Sequence, residues 1–215
     1  MNATKGYSDI DSQTSDLVQT DKKTKNQNII SMNTTKSYSS TKSRTFDLIQ
    51  TSMLIALVFI ATLLINIKLP LSPNGGLVHL GTGMLFIISI IFGPKKGAIA
   101  GAVGMGLFDL VSGWTLWAPF TIVARGLQGY IVGKIAWSNG RQGNSFTFNL
   151  LATISSIPVM LGVYYICERV LFGSWIIPVA SIPGNLIQNI VGICVAIPVC
   201  IALKKVPFLN RSFKR

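Results

Sequence analysis

The sequence predicts an all-α, polytopic membrane protein with six transmembrane helices. Three observations carry this. Hydrophobic residues make up 49% of the 215 positions and charged residues only 12%, about half the charge of a soluble domain. From Phe46 onward, apolar stretches of membrane-spanning size alternate with short joints rich in Gly, Pro and Asn. The basic excess, 19 Lys+Arg against 7 Asp+Glu for a net charge of +12, falls mainly in the two terminal segments and at alternate joints. This composition excludes a soluble enzyme. The charge placement reads as membrane topology rather than as a nucleic-acid footprint.

Residues 1–45 differ in kind from the rest. They contain 8 Ser, 8 Thr, 4 Asn and 3 Gln and no long apolar run. Such a stretch buries too little apolar surface to offset its ordering entropy, so a disordered, polar cytoplasmic tail is expected. It lacks the apolar region of a secretory signal. Residues 46–215 form the transmembrane domain. A membrane helix takes about 20 residues, and the six candidates run roughly Asp47–Lys68, His79–Phe92, Gly97–Gly113, Trp117–Trp137, Phe146–Cys167 and Ser181–Leu203. The second is short and opens at His79. Pro70, Pro73 and Asn74-Gly75-Gly76 break the chain before it. Gly93-Pro94-Lys95-Lys96 makes a tight basic turn, Ser138–Ser145 a polar loop, and Glu168–Ala180 a longer, partly apolar loop.

Lys and Arg favour the cytoplasmic side. With six spans and both termini in the cytoplasm, sixteen of the nineteen basic residues lie inside. Lys68 and Arg169 fall outside and Arg125 within a span. Five spans would place the C-terminal basic cluster outside. The expected location is therefore the cell membrane, with contacts to lipid and none to nucleic acid.

Helices in lipid associate through small residues. Gly97 and Gly101, Ala102 and Gly106, and Gly129 and Gly133 stand four apart, so the third and fourth spans are expected to touch. Ser52 and Ala56 form a similar pair on the first span. Charged groups in a span are costly and mark paired or functional sites. Asp109 and Arg125 both fall in the outer half of their spans and are expected to be neighbours. Gln128 lies three residues below Arg125. Asn185, Gln188 and Asn189 stand at i, i+3, i+4 on one face of the sixth span. The inner halves are more apolar, which points to a cavity open outward and closed inward. Trp114, Trp117 and Trp175 in the outer loops suit a small polar solute with an aromatic ring, although tryptophan also marks membrane interfaces.

Other chemistry is missing. The three cysteines, Cys167, Cys194 and Cys200, form no CxxC pair, and a lone histidine leaves a zinc site short of ligands. No metal or cofactor is expected. Gly129–Lys134 lacks the spacing and the Ser/Thr of a phosphate-binding loop, and no serine stands in a nucleophile elbow. Asp109 is expected to be the sole acid inside the core. The chain is not expected to be an enzyme.

The segments HLG at 79–81, GPKKGAIAG at 93–101, FDLVSG at 108–113 and APFTIVARGLQG at 118–129 resemble the substrate-binding S components of energy-coupling factor (ECF) transporters. The likeness covers about residues 46–205 and points to the branch carrying hydroxymethylpyrimidine, pyridoxine-like and riboflavin-like compounds. It implies an S-component-like six-helix bundle with substrate near the outer face, under the loop between the first two spans. It also implies a transmembrane coupling protein and two ATPase subunits as partners, and toppling in the membrane to release substrate. In the family, small residues four apart on the first helix dock on the coupling protein; Ser52 and Ala56 stand there. The expected substrate-binding residues are Asp109, Arg125, Gln128, Asn185, Gln188 and Asn189, joined by Asn74, His79 and Trp117. The alternative is a stand-alone ion-coupled secondary transporter or channel using Asp109.

Overall fold

The computed structural model describes residues 44–68 and 77–205, together with the isolated positions 25 and 27. The expected tail, apart from those two positions and the helix start at Arg44–Thr45, and Asn74 lie outside the described residues. Residues 1–49 and 50–215 form separate compact units. Every contact discussed below lies within the second.

Six helices run in order: α1 (Arg44–Leu64), α2 (Gly81–Phe92), α3 (Pro94–Val111), α4 (Ala118–Ala136), α5 (Phe146–Phe172) and α6 (Ile177–Lys205). Helices α1, α5 and α6 are long and apolar enough to cross a membrane by themselves. Helices α3 and α4, of 18 and 19 residues, reach about 27 and 28 Å at 1.5 Å per residue. They carry Gly, Asp109 and Arg125 within their length.

Two expectations need correction at one end of the bundle. The first helix stops at Leu64, and Asn66–Lys68 instead form strand β1, which pairs antiparallel with β2 (Leu77–His79) in the register Asn66↔His79. His79 therefore closes a hairpin, and the helix begins two residues later. Secondly, the expected loop Glu168–Ala180 is mostly helix. Helix α5 continues to Phe172, where Gly173 adopts φ 66 and ends it in the left-handed conformation that glycine tolerates. Helix α6 restarts at Ile177. Glu168 is thereby drawn into α5 and buried, at 3% exposure, so Asp109 is not the sole acid in the core.

Helix α2 lies at the centre, packed by α3, α4 and α6. Ten of its twelve residues are buried. A helix apolar all round has no solvent or lipid face to serve, and Leu85, Phe86, Ile88 and Ile90 fill the core. Its shortness follows from this role, because the hairpin completes the layer above it.

The small residues act as expected, on more sides than expected. A Cβ on Gly129 would stand 2.5 Å from the Gly97 carbonyl oxygen, and one on Gly133 2.5 Å from Pro94 Cα, so α3 and α4 touch backbone to backbone. A Cβ on Gly101 would instead strike Leu85 of α2, and one on Gly104 Val58 of α1. Glycine-lined α3 is thus the axle against which three helices close.

The end opposite the hairpin, where α6 finishes at Lys205, is sealed. Trp137 Nε1 donates to the Ile90 carbonyl at 2.9 Å, and Asn149 Nδ2 to the Gly143 carbonyl at 2.8 Å. Lys204 Nζ donates to the Gln142 carbonyl at 2.5 Å and to Asn144 Oδ1 at 3.0 Å. The α4–α5 loop is thereby fastened over the ends of α2 and α6. Lys96 Nζ donates to Gln50 Oε1 and ties α3 to α1.

Candidate functional site

Polar side chains converge between the hairpin and the middle of the bundle. Helix α4 supplies Thr121, Arg125 and Gln128 at i, i+4, i+7, one helical stripe, and all three are buried. Arg125 Nη1 donates to Gln128 Oε1 at 2.9 Å. Gln128 Nε2 donates to Asn189 Oδ1 at 2.7 Å, and Asn189 Nδ2 to the Asn185 carbonyl at 2.7 Å. This chain of bonds crosses from α4 to α6.

A second branch reaches the hairpin. Gln188 Nε2 donates to Thr82 Oγ1 at 3.0 Å and to His79 Nε2 at 2.8 Å. An amide N–H can only donate, so His79 Nε2 accepts and its proton sits on Nδ1. His79 lies on β2, outside the helical spans. Burial, with Arg125 nearby, lowers its pKa to about 3, so the ring is neutral at physiological pH. Its ring centroid lies 6.2 Å from that of Phe108.

The third branch belongs to α3 and α5. Thr121 hydrogen-bonds the Asp109 carboxylate, which lies within electrostatic range of Arg125. The Thr121 and Tyr164 hydroxyls share a hydrogen bond of 3.1 Å. The Tyr164 ring lies under the Arg125 guanidinium, with Cζ 5.5 Å from the centroid. Trp117 packs against Tyr164 at 6.4 Å and Phe172 at 6.1 Å between centroids.

Most of the expected residues therefore meet. Arg125, Gln128, Gln188, Asn189 and His79 share the network, Asp109 adjoins it, and Trp117 stands at its aromatic edge. Asp109 and Arg125 are neighbours, but the guanidinium is bonded to an amide and the carboxylate to a hydroxyl. Asn185 contributes its backbone carbonyl. Sequence reasoning missed Thr82, Thr121 and Tyr164. Thr82 and Thr121 were within reach of helical spacing, three residues from His79 and four from Arg125. Tyr164 carries no such signal within its own helix.

The described residues hold no group of three or more His, Cys, Asp or Glu that could bind a metal ion. The site offers amides, hydroxyls, one neutral imidazole and one guanidinium, walled by aromatic rings. It can orient a small polar molecule by hydrogen bonds. These helices and this lining define an integral membrane protein with an internal polar site.

Comparison with known proteins names the class more closely. Residues 42–205 match the family described as "ECF-type riboflavin transporter, S component". A solved structure described as "Structure and mechanism of the S component of a bacterial ECF transporter" superposes with a TM-score of 0.56 at 25% identity, covering 80% of this chain and 99% of that one. The thiamine precursor transporter HmpT of Lactococcus lactis subsp. cremoris (strain MG1363) is 29% identical over 157 residues, 72% of this chain and 86% of its own. An "Uncharacterized protein in gap 3'region" of Pyrococcus woesei is 32% identical over 148 residues, 69% of this chain and 95% of its own. The chain belongs to the family of S components of ECF-type transporters, a transporter family rather than an enzyme class.

Proposed function

We propose that this chain is the substrate-binding subunit of an ECF-type importer of a vitamin or vitamin precursor of the hydroxymethylpyrimidine, pyridoxine or riboflavin class. The observation that carries the reading is the buried network from Arg125 through Gln128 to Asn189, with Gln188 and His79 joining it to the hairpin. Burying so many polar groups without function is unfavourable in a membrane protein. The family match and the thiamine precursor transporter relative support the substrate class.

The hairpin end faces the medium and both termini face the cytoplasm, in keeping with the basic residues Lys95, Lys96, Lys134, Arg141, Lys204 and Lys205 at the sealed end. Asp109, Arg125, Gln128, Asn185, Gln188, Asn189, His79 and Trp117 contact or position the ligand, and Asn74 is a further binding residue of this reading. Release inward requires opening the sealed end, and this chain contains no nucleotide-hydrolysing motif. A coupling protein docked on Ser52 and Ala56, with two ATPase subunits, supplies that work. Both residues are exposed on α1.

Mass spectrometry of the small molecule that co-purifies with the chain tests the reading. A ring compound of the named class is expected, and a chain that neither carries nor binds any of the three overturns it. A second reading, ion-coupled transport by this chain alone, gains the buried Glu168 as a second acid in addition to Asp109. Uptake into vesicles holding only this chain, under an ion gradient without ATP, would establish it instead.

A further inference from the structure

Arg125 is 2% exposed, and its guanidinium is engaged on some sides and unbonded on another. Nη1 is bonded to Gln128 and one face lies on the Tyr164 ring. Nε is buried without a hydrogen-bond partner, from Asp109 or any other described residue. Native interiors rarely leave a charged donor unmet, and each exception calls for an explanation.

Resting on the reading of the chain as a vitamin-binding subunit, we propose that Arg125 determines specificity: its unbonded Nε edge receives a hydrogen-bond acceptor, a ring nitrogen or carbonyl oxygen, of a planar ligand, while Tyr164 positions that edge. The guanidinium is planar and its donors are fixed relative to one another. Holding Nη1 by Gln128 and one face by Tyr164 therefore sets the direction of the Nε–H. Tyr164 is itself held, through its hydroxyl by Thr121 and through its ring by Trp117. A ligand with an acceptor in that direction satisfies the orphan donor. A ring lacking the acceptor leaves it buried and unpaired, which is how a hydrogen-bonding site rejects near-isosteres.

Calorimetric titration of the purified full-length chain with hydroxymethylpyrimidine, pyridoxine and riboflavin tests this. For whichever probe binds most tightly, Arg125→Lys keeps a positive charge but has no Nε–H, and affinity should fall at least about tenfold. Tyr164→Leu removes the ring under the guanidinium and should bind at least about fivefold more weakly, and Tyr164→Phe, which restores the ring without the hydroxyl, should recover part of that loss. Parental affinity in Arg125→Lys or in Tyr164→Leu overturns the proposal while leaving the vitamin-binding reading intact. Should Arg125→Lys fail to fold, the nitrogen-15 resonance of Nε–H in the unaltered chain gives the answer: a shift on adding the probe supports the contact, and an unmoved resonance overturns it. If none of the three probes binds the unaltered chain, the vitamin-binding reading fails and the proposal falls with it.

Discussion

Gln128 is the residue on which the polar network turns, because its amide takes a bond from Arg125 and gives one to Asn189. Gln128→Leu keeps the approximate volume and leaves both neighbours unmet. Each buried polar group left without a partner costs about 1–3 kcal/mol. A double-mutant cycle with Asn189→Ala should return a coupling energy of about 1 kcal/mol or more, read from unfolding in detergent. Additive losses would show that the two amides do not act together. His79 gives a pH signature. Its folded pKa is lowered to about 3 from 6.5, so the unfolded chain takes up a proton below pH 6.5 that the folded chain refuses. Its contribution to stability is complete above about pH 6.5 and falls by up to about 1.4 kcal/mol per unit on acidification towards pH 3. His79→Gln should flatten that slope in melts between pH 7 and pH 4. The network was legible in the sequence where polar residues interrupt apolar spans, as at Asp109, Arg125 and the Asn185–Gln188–Asn189 face. Glu168 was not, because it lies only a few residues before a Gly-Ser-Trp sequence that reads as a loop.

Among the elements, α3 and α4 owe their contact to missing side chains. A Cβ on Gly129 would stand 2.5 Å from one Gly97 backbone atom and 2.7 Å from another, and backbone in a packed helix pair cannot step aside as a side chain can. Gly129→Ala should therefore push the helices apart and cost about 1–3 kcal/mol, the range for overpacking a tight core. Gly162 on α5 is the matched control, since a Cβ there meets nothing within 4 Å. Gly162→Ala should leave the melting temperature unchanged or raise it, alanine being the better helix former. Equal losses in the two variants would refute close backbone packing as the cause. The pairing of α3 with α4 was readable from glycines four apart. The partners of Gly101 and Gly104 on α2 and α1 were not, because spacing gives a face but not the neighbour across it. The hairpin escaped notice for a related reason: Asn66-Ile67-Lys68 continues the apolar period of the first helix, and only its pairing with Leu77–His79 fixes it as a strand.

For the whole molecule, the sealed end and the polar end pose one question, namely how a bundle without a nucleotide site opens inward. The fold places its least committed surface on α1, where Met53, Leu57, Ile60 and Leu63 are exposed along with Ser52 and Ala56. Apolar exposure there suits lipid. The two small residues also leave a shallow track where another helix can approach closely, as small pairs do in membranes. Ala56 lies on α1, whereas the polar network is built by α2, α3, α4, α5, α6 and the hairpin. Ala56→Trp should then leave ligand affinity within about twofold of the parent while abolishing uptake in cells that supply the coupling protein and ATPases. Loss of binding in a folded Ala56→Trp chain would mean that α1 shapes the site itself. Normal uptake would move the docking surface elsewhere on the bundle. Labelling of single cysteines at Lys96 and Lys134 on the sealed end, against one at Ser174 beyond Gly173, sets the orientation independently. The first two should react only from the cytoplasmic side and the third only from outside, and the reverse pattern would turn the site towards the cytoplasm and leave an importer no way to load.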